Sequence, residues 1–330
     1  LDASRKIDKI DAKIIRDLLT DGRKELTQIA NETGVSEDII WQHYSKMKKK
    51  GIIVGATIQL NYQALGYHFF TQFFVNVKLQ RRDTAAVLLQ KIPGVYPPFR
   101  CGCNSELWTI GTQQNRTDLE NVKQAIRKIP GVLGLRTEIV TGNRNIPENL
   151  SILLPKERSK DSSETKTMKK KNSHIENTVN IDSLDMQLIE KLTIDSRASF
   201  NKIAKELKIS TDTVARRCNL LQKNGIIIPL IQVNPVKLGY PADAIISMTV
   251  KSQDDLAETT ENISKIPDIV GLWKTIGSYD LAAWTKVKNI EQLITIQDEI
   301  TTLSEITKME TVMLNTFQVM PFPREHTSSF

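Results

Sequence analysis

The stretch STDTVARRCNLLQKNG, residues 210–225, decides how the chain is read. Taken as a helix, it opens at Ser210, whose hydroxyl can accept from the free backbone N–H groups of a first turn. Val214, Cys218 and Leu221 fall on one apolar stripe at helical spacing. Thr211, Asp212, Thr213, Arg216 and Arg217 are left to other faces, Lys223 lies near the end, and Gly225 stands where a helix usually stops. A short helix with an apolar back and a polar, basic front is what the major groove of double-stranded DNA admits. The stretch is therefore a candidate DNA-recognition helix.

Outward from it, the pattern occurs twice. IDKIDAKIIRDLLTDGR at 7–23 aligns with IDSLDMQLIEKLTIDSR at 181–197, LTQIANETGVS at 26–36 with FNKIAKELKIS at 200–210, and KKKGII at 48–53 with QKNGII at 222–227, all at one constant shift. One residue is lost before LGY (65–67 against 238–240), and the register returns at KIP (91–93 against 265–267). A shift held over so many matches is not chance, so the chain is two copies of one two-part unit. Between them KERSKDSSETKTMKKKNSHIENT at 156–178 is charged and nearly free of large apolar residues, and is expected to be a flexible linker. Its Lys169, Lys170 and Lys171 suit either phosphate contacts or a solvated charge run.

Bulk properties agree with several domains. The chain has 330 residues, 40% of them hydrophobic and 25% charged, with a net charge of +7. A basic balance fits a polyanionic partner and fits a solvated basic surface equally well. No run of about 18 apolar residues is present, LDASRKIDKI at 1–10 is not a signal peptide, and no membrane partner is expected. The start at Leu1 rather than Met suggests that a few leading residues are missing. Cys101, Cys103 and Cys218 cannot build a disulfide framework, which points to a reducing, cytoplasmic setting.

Within each unit the periods change from helical to strand-like. Ile10, Ile14, Ile15, Leu18 and Leu19 keep helical spacing over 11–20, with Asp8 and Asp11 placed to cap and charge the first turn. A second helix is predicted over 25–33, a turn at Gly34-Val35, and a third helix over 36–50 ending at Gly51, which makes a helix-turn-helix. IIVGATIQL at 52–60 follows as a short wing or connector. Then come a strand at 68–79, a helix at 83–92, strands at 96–101 and 107–112, a helix at 117–129 and a strand at 133–141. The second copy repeats this βαββαβ order at 242–251, 256–265, 269–275, 281–286, 290–303 and 309–317. The fold class is α+β, with helices on one face of each antiparallel sheet. The expected domains are 1–62 and 179–238 (helix-turn-helix), 63–154 and 239–330 (sheet domains), and 155–178 (linker).

The run I-D-x-x-D, then Ser210, Val214 and Arg217 in S-x-x-x-V-x-x-R, then Gly225–Ile227 and L-G-Y, resembles the Lrp/AsnC, or feast/famine, transcriptional regulators. G-S-Y-D at 277–280 is similar to the loop motif of that family's ligand-sensing RAM domain. The resemblance implies two winged-helix-like DNA-binding domains and two ferredoxin-like RAM domains fused as a pseudo-dimer. It also implies double-stranded DNA as partner, an amino acid or other small metabolite as effector at RAM contacts, and further self-association. No cofactor is expected.

The two copies differ where DNA would be met. Copy two presents Thr211 and Thr213 to base edges and Arg216 for a bidentate guanine contact. Arg217 suits either DNA or an internal pair with a first-helix carboxylate such as Asp185. Copy one starts its helix at Ser36 and presents Glu37, Asp38, Trp41 and Gln42, with His43 in the place of Arg217. Lys46, Lys48, Lys49 and Lys50 suit only the phosphate backbone, so the halves are expected to be unequal. Trp41 suits a DNA contact or packing against a neighbour, and Arg23 and Arg197 suit phosphate contacts or surface salt bridges.

For the effector, Gly277, Ser278, Tyr279 and Asp280 are the candidates, Asp280 for an ammonium group; a tight turn capped by Asp280 is the alternative. Copy one has Cys103, Asn104, Ser105 and Glu106 there, with Asn104 and Glu106 as its ligand candidates. Cys101 and Cys103 lack a second ligand pair, so no metal is expected. No nucleophile–base pair or phosphate-binding glycine loop is visible, hence no catalytic residues. Two other readings stay open. One is an enzyme on a similar fold, such as a siroheme decarboxylase, although His43, His68, His174 and His326 do not cluster in the sequence. The other is a DNA-packaging protein of low specificity, favoured by the charge.

Overall fold

Asp8 starts the first helix by accepting from the Asp11 N–H at 2.9 Å, while the Asp11 carboxylate accepts back from the Asp8 N–H. The computed structural model of the chain describes residues 7–102, 107–141, 181–266, 268–315 and 319–321. Its first copy runs α1 (Lys9–Thr20), α2 (Leu26–Thr33), α3 (Glu37–Lys49), β1 (Ile53–Leu60), β2 (Phe69–Val77), α4 (Arg82–Leu89), β3 (Phe99–Arg100), β4 (Leu107–Gln113), α5 (Arg116–Arg127) and β5 (Val132–Thr141). Its second runs α6 (Ser183–Ile194), α7 (Phe200–Leu207), α8 (Thr211–Lys223), β6 (Ile227–Val233), β7 (Ala242–Val250), α9 (Leu256–Ser264), β8 (Ile269–Ile276), β9 (Leu281–Val287), α10 (Ile290–Thr301) and β10 (Ile306–Asn315). The capping box recurs at Asp182 and Asp185. The linker expected at 156–178 lies outside the described residues.

Two features depart from the sequence expectation. The strand foreseen at 96–101 shrinks to β3, flanked by single bridges at Val95 and Cys101, because Pro97 and Pro98 have no N–H to offer a ladder. The segment read as a wing or connector is neither free nor local: β1 pairs antiparallel with β6, from Ile53 opposite Val233 to Leu60 opposite Ile227. This two-stranded ribbon joins the helix-turn-helix modules of the two copies.

The ribbon also exchanges core residues. Ile231 and Val233 of copy two are buried with Ile14, Ile15, Leu18 and Ile40 of copy one. Ile58 and Leu60 of copy one are buried with Leu188, Ile189, Val214 and Leu221 of copy two. Gly22 is held against the ribbon, its N–H donating to Pro229 O at 2.7 Å, and a Cβ there would lie 2.6 Å from the Leu230 backbone.

The remaining strands form one sheet in the order β10-β7-β9-β8-β5-β2-β4-β3. The halves meet where β5 pairs with β8, Ile139 opposite Ile276, and the far edges approach at a bridge between Cys101 and Leu314. Period-two alternation divides the side chains. Phe74, Trp108, Ile245, Trp273, Trp284 and Val312 fill the space between the halves. Phe73, Val75, Leu119 and Ile126 form the outer core of copy one, and Met248, Ile263, Leu281 and Ile296 that of copy two.

The tight turn before the third helix of each module differs between copies. Gly34 holds φ at 67° in copy one, whereas Lys208 holds φ at 56° in copy two, a left-handed conformation unfavourable to a side chain. Lys208→Gly is expected to stabilise the second module by about 0.5–1 kcal/mol in urea denaturation. Ile231→Ala is expected to destabilise the first module, not only its own, by about 2–4 kcal/mol, read as lost hydrogen-exchange protection in α1.

Candidate nucleic-acid interface and sensor loop

Helix α8 is fastened by its back and exposed at its front. Ser210 Oγ accepts from the Thr213 N–H at 3.1 Å and lies 2.8 Å from the Thr213 hydroxyl, while Val214, Cys218 and Leu221 are buried. Burial pushes the Cys218 thiol up to about 11, so it packs as an inert apolar group. Thr211, Asp212, Arg216 and Lys223 are exposed, and Thr213 is half-buried with its hydroxyl beside Ser210.

Arg217 is turned away from that front. Its Nη1 lies 2.7 Å from Asp182 Oδ2 and 2.8 Å from Asp185 Oδ1, the two carboxylates of the α6 capping box. Its hydrogen bonds to the Asp185 and Asp182 carboxylates hold the guanidinium above its ordinary value. The internal pairing, left open by the sequence, is present in the structure and clasps α8 to α6.

In α3, Ser36 occupies the N-cap position, and Glu37, Asp38, Gln42, Lys46 and Lys50 are exposed. Trp41 is 52% exposed with its ring centroid 5.7 Å from that of Tyr44, so packing does not absorb it. His43 takes the Arg217 position and reaches the equivalent carboxylates, its Nδ1 2.8 Å from Asp11 Oδ1.

Arg23 and Arg197, read from the sequence as phosphate contacts or surface salt bridges, are engaged across the two modules. Arg23 donates to the carbonyls of Ser196 and Ala198 and stacks 4.1 Å over Phe200. Arg197 reciprocates, donating to the carbonyls of Gly22 and Lys24 with its guanidinium over Tyr44. Both are half-buried, and burial holds the Arg23 guanidinium below its ordinary value. They are rivets between the modules, and no phosphate is needed to satisfy them.

The Gly277–Asp280 loop lies at the seam between the two halves of the sheet. Glu138 of β5 accepts from the Ser278 N–H at 2.9 Å, and a Cβ on Gly277 would lie 2.7 Å from the Thr137 carbonyl oxygen of the same strand, a backbone contact that favours glycine. Tyr279 is buried and donates to Glu310 Oε2 at 2.5 Å; burial first and Glu310 second push its hydroxyl up to about 12. Glu310 also receives Arg136 at 2.8 and 3.3 Å, and Arg136 lies 4.0 Å over Phe74. Asp280 accepts from Val250 N–H and Gln253 Nε2 at 2.9 and 3.0 Å. Its carboxylate thus ties the loop to the end of β7. Asn104 and Glu106 lie outside the described residues.

Arg136, Glu138 and Glu310 belong to this seam, and the sequence reading missed them. They sit mid-strand, without a motif, and meet the loop only through β5–β8 pairing. The one signal in the sequence was that Arg136 and Glu310 occupy equivalent positions of the two copies with opposite charge. Of the histidines, His43 lies on α3 and His68 just before β2, while His174 and His326 lie outside the described residues. Among the described residues one group, Asp8, Asp11 and His43, has the ligand types of a metal site. No described helix is long and apolar enough to cross a membrane.

Two helix-turn-helix modules, joined by a ribbon and followed by paired α+β sheets, define a duplicated helix-turn-helix protein with sensor-type sheet domains. Residues 181–225 match the AsnC-type helix-turn-helix domain, 243–316 the Lrp/AsnC ligand binding domain, and 7–54 a winged helix-turn-helix DNA-binding domain. The chain is 31% identical over 134 residues to the HTH-type transcriptional regulator FL11 of Pyrococcus horikoshii, covering 41% of this chain and 89% of that protein. It is 33% identical over 114 residues to the regulator Ptr1 of Methanocaldococcus jannaschii, covering 34% and 76%. The chain belongs to the Lrp/AsnC family. The fold is similar to that of the siroheme decarboxylase NirDL, with a TM-score of 0.64, 14% identity, and coverage of 93% of this chain and 91% of that one. At that identity the likeness is one of fold alone.

Desolvation raises the Glu138 carboxyl above its ordinary value, against the opposing pull of Arg136. A raised carboxyl contributes stability fully present below its unfolded value and lost as pH rises through its folded value. Glu138→Gln keeps an acceptor for the Ser278 N–H and removes this loss. Urea midpoints are expected to fall from about pH 4 toward neutrality more steeply in the parent than in Glu138→Gln.

Proposed function

We propose that the chain is a sequence-specific DNA-binding transcriptional regulator whose DNA preference is modulated by a small metabolite, an amino acid being the favoured class. The observation that carries this reading is the outward face of α8, with Thr211 and Arg216 exposed beside a capped N-terminus. A counterpart helix is tied to it through the β1–β6 ribbon. The names of the relatives, HTH-type transcriptional regulators, support it.

In this reading Arg216 pairs with a guanine, and Thr211 and Thr213 meet base edges. Ser36, Trp41 and Gln42 of α3 meet the other half-site, Ser210 approaches a phosphate at the start of α8, and Lys46, Lys50 and Lys223 position the helices on the backbone. Unlike helices in a fixed relation suit an imperfect palindrome, with half-sites about one helical turn or a multiple apart. The effector is held at the sheet seam by the Gly277–Asp280 loop. A ligand that binds one arrangement of the halves better than another shifts their relation, and so the DNA preferred. Further self-association through the sheet domains, and action in the cytoplasm, belong to the same proposal.

Selection of binding sites from random DNA by the purified chain is the deciding experiment. A defined site is expected, and Arg216→Ala is expected to weaken binding to it by about 1–3 kcal/mol while changing binding to unrelated DNA little. Equal losses on both would make Arg216 a phosphate contact. An even affinity across all sequences would replace the reading by non-specific packaging.

A further inference from the structure

Copy one keeps the two capping carboxylates of its first helix but lacks the arginine that copy two sets between them. In copy two, Asp182 Oδ2 and Asp185 Oδ1 grip Arg217 Nη1 at 2.7 and 2.8 Å. In copy one the equivalent oxygens, Asp8 Oδ2 and Asp11 Oδ1, stand 3.7 and 2.8 Å from His43 Nδ1. All three ligand-type atoms lie within 4.8 Å of one another.

This cradle is built by the helix start, not by the histidine. Asp8 Oδ1 accepts from the Asp11 N–H and Asp11 Oδ2 from the Asp8 N–H, which aims the second oxygen of each carboxylate at the same point. Copy two shows what that point accepts, a full positive charge held by both oxygens. The imidazole reaches hydrogen-bond distance of Asp11 alone, 2.8 Å against 3.7 Å from Asp8, while Asp11 is only 2% exposed and requires compensation.

We propose that Asp8, Asp11 and His43 form a binding site for a divalent first-row transition ion of the zinc class, bridging α1 and α3. One imidazole nitrogen and two carboxylate oxygens are a donor set such ions take, at about 2.0–2.2 Å, with a fourth position left to water. That position faces solvent, since the His43 and Asp8 side chains are 21% and 42% exposed. Binding of the ion replaces the Nδ1–Oδ1 hydrogen bond and requires those atoms to part to about 3–3.5 Å, a side-chain adjustment within the existing helices. The ion fastens the start of α1 to the middle of α3 as Arg217 fastens α6 to α8. Its effect on DNA rests on the regulator reading above, whereas the number of ions bound does not.

The test counts ions on the full chain and on His43→Arg, which copies the arrangement of copy two and so retains the clasp. In equilibrium dialysis with Co²⁺, followed by its visible absorption, the parent is expected to bind one ion more per chain than His43→Arg. Zn²⁺ is expected to displace that ion and to raise the melting temperature of the parent but not of the variant. His43→Gln gives the same readout should His43→Arg fail to fold. Equal counts in parent and variant, or no uptake by the parent, would overturn the site and leave a hydrogen-bonded clasp.

Discussion

Neither copy can complete its helix-turn-helix core without a strand from the other. Ile231 and Val233 fill the first module, Ile58 and Leu60 the second, and the same exchange pairs β1 with β6. Burying several branched aliphatic side chains in this way is worth on the order of 1.5–3 kcal/mol each. Everything proposed for DNA recognition follows from it. A helix aimed by its own module alone would be free to turn; α3 and α8 are instead aimed by a shared ribbon and by the reciprocal rivets Arg23 and Arg197. The arginines do at the surface what the isoleucines do inside.

Much of this architecture was legible in the chain. Helical and strand periods located nearly every element to within a few residues, because those signals are local and each apolar stripe reports its own burial. Capping at Asp8 and Ser210 was equally local. What the sequence could not state was partnership. A strand such as IIVGATIQL shows that one face is buried but not against which strand, and antiparallel pairing across copies leaves no mark within either. The same reason explains the arginines. Arg23, Arg197 and Arg217 looked alike as basic residues near a DNA-binding face, yet the first two find carbonyl oxygens and the third finds carboxylates from elements distant in sequence. The motif at Gly277–Asp280 was visible, but its surroundings, Arg136, Glu138 and Glu310, arrive by strand pairing and were invisible.

Duplication has also let the copies specialise. Copy two keeps a permanently charged clasp and an open front on α8, while copy one combines an acidic first turn, an exposed tryptophan and a histidine clasp on α3. The glycine of the first turn becomes a strained lysine in the second. Such divergence is allowed because each change needs to suit only one environment, where a symmetric pair of identical chains would feel it twice.

Arg136 and Glu310 carry that freedom furthest. They occupy equivalent positions, and they meet each other, which sets them on the pseudo-twofold axis of the sheet domains. In an assembly of identical halves any residue there faces its own image, so a charge is confronted by the same charge across the axis. Only a chain whose halves have become distinct can place acid against base at such a point. Across the duplicated halves this point has become a plug and socket, acid on one side and base on the other.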